Sequence, residues 1–325
     1  MKFLIQFLFI SMIFSQPKTS GLTFFQYDAD GGFEIKRTYL TYSNKVTDNI
    51  SFRLQADVGR INVGTVRTKE DTLFKENDED SRLVYYLKNA KADWRSPFGK
   101  FTFGMQGMNM FNIQEKTWGH RFIEKSPMDV HKFSSSADLG IGYSNSIKEN
   151  IHFSVMVTNG SGYKKPENDE FKKVSGQFVY GEKRLDKNEG YNAGLSFSSE
   201  PNKELETTVY SAFGGYSGSG LRTGIELGNK SYSIESEDTL GQVTTKNYTE
   251  QITAFYGTYS VNPNLEFLVY GDLYSENKSK TDASYYILGM NWMPAKGLTI
   301  SPNVRIKKSD KTSDNIYNLN FQFKF

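Results

Sequence analysis

The chain has 325 residues, with 39 Lys and Arg against 37 Asp and Glu, 25 Phe, 20 Tyr, 28 Gly, 8 Pro and no Cys. The missing Cys excludes disulfide frameworks, thiolate metal sites and thiol nucleophiles, and the near-balanced charge provides no field that would draw nucleic acid. Abundant aromatics in a chain whose mean hydropathy is polar, −0.56, favour strands and turns over helices.

At the start, Lys2 precedes the apolar run Phe3 to Phe14 and a small polar exit, Ser15-Gln16-Pro17. A charged residue, a short apolar stretch and small residues predict a secretory signal peptide over 1–16. After it there is no apolar run of the roughly 18 residues a membrane helix needs. Period-two alternation then sets in. Ile50, Phe52, Leu54, Ala56 and Val58 share one face, and Ser51, Arg53, Gln55, Asp57 and Gly59 the other. Successive side chains of a strand point to opposite sides, so one face meets something apolar and the other water. The same pattern returns near 136–144, 151–158, 191–197, 221–227 and 298–307.

Short turns are expected at 44–49, 95–99, 145–150, 199–204, 261–264 and 294–297, and long polar connections at 61–82, 110–135, 160–189 and 237–248. Sixteen strands result, beginning near 22, 33, 50, 83, 100, 136, 151, 190, 205, 220, 231, 249, 265, 283, 298 and 315, with 173–181 assigned to a loop. The last strand sets Tyr317, Leu319, Phe321, Phe323 and Phe325 on one face against Asn318, Asn320, Gln322 and Lys324. In lipid every backbone group must be paired, so this strand must bond to the first and close the sheet. The predicted fold is an all-β transmembrane antiparallel β-barrel over 17–325, with short periplasmic turns and long extracellular loops.

The signal peptide, the alternating strands and the terminal Tyr-x-Leu-x-Phe-x-Phe-x-Phe of 317–325 resemble bacterial outer-membrane proteins. That resemblance implies a Gram-negative outer membrane, with its lipid around the barrel, and makes Phe325 the signal read by the barrel assembly machinery. Over residues 33–145 the chain further resembles the phosphate-selective porins O and P. The residues concerned are Phe33-Glu34-Ile35-Lys36-Arg37-Thr38-Tyr39-Leu40, Ser51 to Asp57, Ala90 to Trp94, Pro97 to Gly104 and Ser136 to Ile141. This likeness implies a water-filled pore, a homotrimer and an inward-folded loop. No ladder of basic residues matches position by position, so no substrate follows from it.

Strand phase places Arg53, Lys91, Arg222, Arg305, Lys307 and Lys324 inward, against Asp57, Asp93, Asp138, Glu226, Glu266 and Asp272. Six bases against six acids predict no overall ionic preference. The connection 110–135, carrying Glu115, Arg121, Glu124 and their charged neighbours, is the candidate constriction loop. Pore-lining or constriction candidates are Arg37, Arg53, Asp57, Lys91, Asp93, Glu115, Arg121, Glu124 and Arg305, although strict alternation would group Arg37 with Phe33 and Ile35. The histidines His120, His131 and His152 lack metal-ligand spacing and read as isolated polar side chains. No nucleophile elbow, phosphate loop or zinc helix appears, so neither an enzyme nor a cofactor is expected. The expected function is passive diffusion of small hydrophilic solutes or ions; the alternative is an adhesin or structural anchor acting through long external loops.

Overall fold

The computed structural model describes residues 16–29, 31–60, 83–167, 169–201, 206–237, 242–278, 280–309 and 312–325. The expected signal peptide, apart from Gln16, and the connection 61–82 lie outside the described residues. In chain order the strands are β1 (Lys18–Asp28), β2 (Gly32–Lys45), β3 (Ile50–Arg60), β4 (Leu83–Ser96), β5 (Gly99–Gly107), β6 (Ala137–Ile147), β7 (Ile151–Thr158) and β8 (Lys173–Gly181). There follow β9 (Gly190–Glu200), β10 (Thr207–Gly218), β11 (Leu221–Glu237), β12 (Val243–Asn262), β13 (Leu265–Glu276), β14 (Thr281–Ala295), β15 (Leu298–Ser309) and β16 (Ser313–Lys324).

Each strand pairs antiparallel with the next, and β1 pairs with β16 from Leu22↔Lys324 to Asp28↔Asn318, closing a 16-strand barrel. The seam is finished by Gly21 and Phe325, which exchange backbone hydrogen bonds of 2.8 and 3.1 Å. On its outer side Phe25 stacks on Phe321 with ring centroids 4.2 Å apart. Closure leaves no sheet edge to satisfy, which is the condition for crossing hydrocarbon with strands. Among the described residues no helix is long and apolar enough to cross a membrane.

The outer face carries Leu195, Ile225, Leu227, Phe255, Phe267 and Leu288, all exposed, while their chain neighbours Ser196, Glu226, Ala254 and Ile287 are buried inside. This is inverted relative to a water-soluble sandwich, where large apolar side chains meet between two sheets. The exposed apolar belt is solvated by lipid.

The expected number of strands is found, but through two compensating errors. Residues 173–181, assigned to a loop, form β8 between β7 and β9. Its pattern was masked by Val179, an apolar residue facing inward, where it packs on Ile113 and Phe213. Conversely, the strands expected near 220 and 231 are one, because β11 pairs continuously with β12 from Leu221↔Tyr259 to Glu237↔Val243. The polar Asn229-Lys230-Ser231 ends the apolar alternation without interrupting backbone pairing. Adding one strand and merging two moves the expected turn at 199–204 to the other end of the barrel. The β9–β10 connection sits with the loops, and 182–189 joins β8 to β9 at the turn end.

Leu195 lies midway along β9 on the lipid face. Leu195→Arg is expected to destabilise the folded barrel by about 2–4 kcal/mol, the cost of a cation near the bilayer midplane. Urea unfolding in lipid vesicles measures it, and a cost near zero would mean that this face meets water.

Candidate functional site

The connection 108–136 between β5 and β6 folds back inside the barrel. It contains two short helices, α1 (Asn112–Trp118) and α2 (Pro127–Val130). In α1, Ile113, Gln114, Thr117 and Trp118 are buried against the wall, which turns Glu115 and Lys116 away from it. Gly119 ends the helix in the left-handed region at φ 75°, its N–H donating to the Glu115 carbonyl at 2.9 Å. A Cβ there would stand 2.9 Å from Nη2 of Arg222, so glycine also allows that arginine's close approach.

Three apolar contacts seat the loop. Trp118, fully buried, lies against Tyr256 and Tyr270 with centroids 5.7 and 5.2 Å away, and Phe122 and Ile123 join the same cluster with Phe24, Leu268 and Ile287. Met110, Phe111, Met128 and Phe133 pack on Val209 and Ile252. Ile113 meets Val179 and Phe213. These wall residues face inward yet are apolar, because the loop and not water covers them.

Polar contacts fix the loop's position. Arg305 donates to the Ile123 carbonyl at 2.8 Å and reaches Glu124 at 3.4 Å, and the Tyr285 hydroxyl donates to Glu124 at 2.8 Å. Asn320 donates to the Phe122 carbonyl at 3.1 Å, and Arg222 to that of Trp118 at 3.3 Å. His120 meets Glu266 at 2.7 Å, and His131 meets Asp272 at 3.2 Å while stacking on Tyr274 at 4.3 Å. Burial and the nearby Arg222 push the His120 imidazole below its ordinary pKa despite Glu266. The histidines are therefore not isolated polar side chains: two are loop anchors, and His152 bonds Ser146 at 2.7 Å.

On the opposite wall, two β-bulges determine which charges face the lumen. At Lys36 the β1–β2 register shifts, so that Phe25 opposes Ile35 while Phe24 opposes Arg37. Strict alternation fails there, and Arg37 turns inward. A second shift lets Gln55 oppose Asn89 and Ala56 oppose Leu87, leaving Lys88 as the extra residue on β4. An extra residue in one strand re-aims the side chains beyond it. Both cations converge on the fully buried Asp57, Arg37 at 3.4 Å and Lys88 at 4.0 Å. Asp57 also accepts a 2.7 Å bond from the hydroxyl of Tyr163, which reaches across from the β7–β8 connection. Tyr163 was missed in sequence because its partner lies 106 positions away.

The remaining candidates form smaller groups. Arg121 bridges Glu115 at 3.0 Å and Asp129 at 2.8 Å within the loop. Burial would raise the Asp129 carboxyl, but Arg121 and Lys125 overcome it and hold it below the usual carboxylate range. Lys91 pairs with Asp93 at 2.9 Å, and Asp93 accepts from Thr102 at 2.6 Å. Arg37, Arg121, Glu124 and Arg305 share a cavity of 330 Å³ between the loop and β1–β2. Arg53 and Asp93 line another of 380 Å³ near the turn end.

The balance of six against six does not survive folding. Asp57, Asp138, Glu226, Glu266 and Asp272 are all buried, and Asp93 is enclosed by Lys91 and Thr102. Asp138, for example, accepts from the N–H groups of Leu139 and Gly160, pinning the start of the β7–β8 connection. Arg53, Lys307 and Lys324 remain exposed. The other three bases are also taken up, Arg222 and Arg305 in fastening the loop and Lys91 with Asp93, so what stays exposed of the twelve is basic.

No family model matches the chain, and no curated protein resembles it in sequence. Solved structures do resemble it in fold. A loop L8 deletion mutant of OmpT, an outer membrane protein of Vibrio cholerae, aligns with a TM-score of 0.65 at 12% identity over 95% of this chain and 99% of that one. An anion-selective porin from Comamonas acidovorans gives 0.65 at 11% identity, over 95% and 99%. The outer membrane channel DcaP of Acinetobacter baumannii gives 0.61 at 11%, over 95% and 96%. At such identities the likeness establishes the fold, a barrel of the outer-membrane porin type.

Trp118→Ala removes the central apolar anchor of the loop. We expect a loss of about 3–5 kcal/mol of stability and a larger, noisier single-channel current. Thermal unfolding in detergent and planar-bilayer recording measure the two effects, and an unchanged current with intact folding would show that the loop is held without this ring.

Proposed function

We propose that the protein is a porin of the bacterial outer membrane, a water-filled channel through which small hydrophilic solutes diffuse passively and anions pass more readily than cations. The observation that carries this reading is the division among the inward-phase charges: the six carboxylates are buried or enclosed, whereas three of the six bases, Arg53, Lys307 and Lys324, stay exposed. A barrel of about 16 strands leaves an aqueous interior by geometry, and the infolded loop narrows it. A residual positive lining lowers the barrier for anions and raises it for cations. The barrel-shaped neighbours include a protein described as an anion-selective porin.

The outer membrane is the location that suits a closed sheet with a lipid-facing belt, short turns at one end and loops at the other. Kinship with the phosphate-selective porins O and P is inferred from residues 33–145 alone and carries no solute. Reading the protein instead as an adhesin loses support because two of the long connections are not free external loops. Residues 108–136 lie inside, and 160–189 contributes β8 and the Tyr163 contact.

Reversal potential across a potassium chloride gradient tests the function. Purified protein in planar bilayers is expected to conduct with the sign of chloride preference. Absence of conductance would overturn the channel reading, and potassium preference would overturn the charge argument.

The same reading assigns Phe325 to biogenesis, as a terminal aromatic offered to the assembly machinery on a strand that also closes the seam. Deleting Phe325 is expected to reduce heat-modifiable folded barrel in membranes several-fold; wild-type amounts would contradict the role.

A further inference from the structure

The wall under α1 holds a carboxyl that the fastening of the loop does not use. Glu226 on β11 is 1% exposed, and neither of its oxygens receives a hydrogen bond among the described residues. Beside it stands the buried hydroxyl of Tyr256 on β12, within hydrogen-bonding reach. That hydroxyl donates instead to the Gln114 carbonyl of α1, at 3.2 Å. One O–H therefore faces two acceptors, a loop carbonyl and a wall carboxyl, and a buried acceptor left without a donor is costly.

The fold sets up this competition. Tyr256 pairs across the sheet with Gly224, two residues before Glu226 on the same inward face of β11. A Cβ at Gly224 would strike the ring and hydroxyl of Tyr256, so glycine lets the tyrosine lie across β11 with its oxygen near Glu226. Opposite Glu226 itself the sheet sets Phe213 of β10 and Ala254 of β12, whose side chains donate nothing. The charges that act on Glu226 are Asp272 from β13 and Glu115 from α1, both negative. Arg222, on the same strand, acts on Tyr256 and spends its hydrogen bonds on Trp118 and His120. A protonated carboxyl is a donor as well as an acceptor. With its proton, Glu226 donates to the Tyr256 oxygen and Tyr256 donates to Gln114, so each O–H in the row has an acceptor. Without it, the carboxylate draws the tyrosine proton into a charge-assisted bond, the stronger of the two, and the Gln114 carbonyl loses its donor.

We infer that Glu226 and Tyr256 form a proton-operated latch on α1, closed by the row Glu226–Tyr256–Gln114 and released when the Glu226 proton passes to water. The latch rests on the channel reading only for what it governs, the width left beside the loop. Trp118, Phe111 and Ile113 stay seated in either state, so release loosens α1 without expelling the loop.

Trp118 reports the latch. It lies one helical turn beyond Gln114, with its ring 5.7 Å from that of Tyr256. The other two tryptophans, Trp94 and Trp292, stand on the outer face, so the full-length folded barrel carrying W94F/W292F has a single tryptophan, inside. Acrylamide quenching of its fluorescence is expected to rise about fivefold from about pH 4 to about pH 9, the factor that one neutral hydrogen bond contributes to a local opening. In E226Q, whose amide offers Tyr256 a donor at every pH, quenching should stay low throughout. In Y256F it should be high and flat. A response that persists unchanged in E226Q belongs to the other loop anchors, His120 with Glu266 and His131 with Asp272, and overturns the latch, as does a flat profile without either substitution. Y256F with the full response, or with low quenching throughout, overturns it too; should E226Q not yield heat-modifiable barrel, Y256F decides alone. Planar-bilayer recording of the same proteins separates the two readings. A quenching response in a barrel that carries no current would uphold the latch while the channel reading fell.

Discussion

The constraint from which this molecule follows is that hydrocarbon offers no partner to a backbone N–H or carbonyl. An open sheet in lipid would leave an unpaired edge costing several kcal/mol per group. The β1–β16 register and the Gly21–Phe325 exchange remove that edge. Once the sheet closes, inside and outside are assigned for each strand by its pleat, and the outer set must be apolar. The inner set has no such obligation. That freedom lets the wall carry acids, bases and, under the loop, tyrosines and aliphatic residues.

The interior is organised by what covers it. Where residues 108–136 lie, the wall becomes a core: Tyr256, Tyr270, Val209 and Ile252 are buried against loop side chains. Apolar burial supplies the attraction, and arginine and asparagine donors to the Phe122, Ile123 and Trp118 carbonyls fix the register of the loop. A loop backbone seated inside a barrel needs such donors, since its own groups have no sheet to join. Glu124 and Arg305, chosen in sequence as channel lining, belong to this fastening.

Fastening the loops also decides the electrostatics of the remaining space. Carboxylates are acceptors only, so they suit the task of receiving N–H and O–H groups from inserted segments, as Asp57, Asp138, Glu266 and Asp272 do. Long basic side chains can bury their stems and keep their heads in water. Among the inward-phase charges what stays exposed is basic, Arg53, Lys307 and Lys324, in a chain that is almost neutral overall.

The sequence by itself determined the barrel, its closing strand and the face of most residues, because alternation between lipid and water is written locally, two residues at a time. It determined the identity of the inserted loop only as a candidate, from length and charge. Tertiary structure alone decided that β8 is a strand, since Val179 faces inward against Ile113 of the inserted loop and so breaks the local alternation of polarity. It likewise decided the inward turn of Arg37 and Lys88, which depends on register shifts against neighbouring strands. The fate of each acid, buried or free, was also beyond local reading: Asp57 meets Tyr163, and Asp272 meets His131, over separations of 106 and 141 residues. Lipid contact imposes a repeating pattern on every strand, whereas contacts inside a barrel join distant segments once, and a single pairing leaves no periodic trace in the chain.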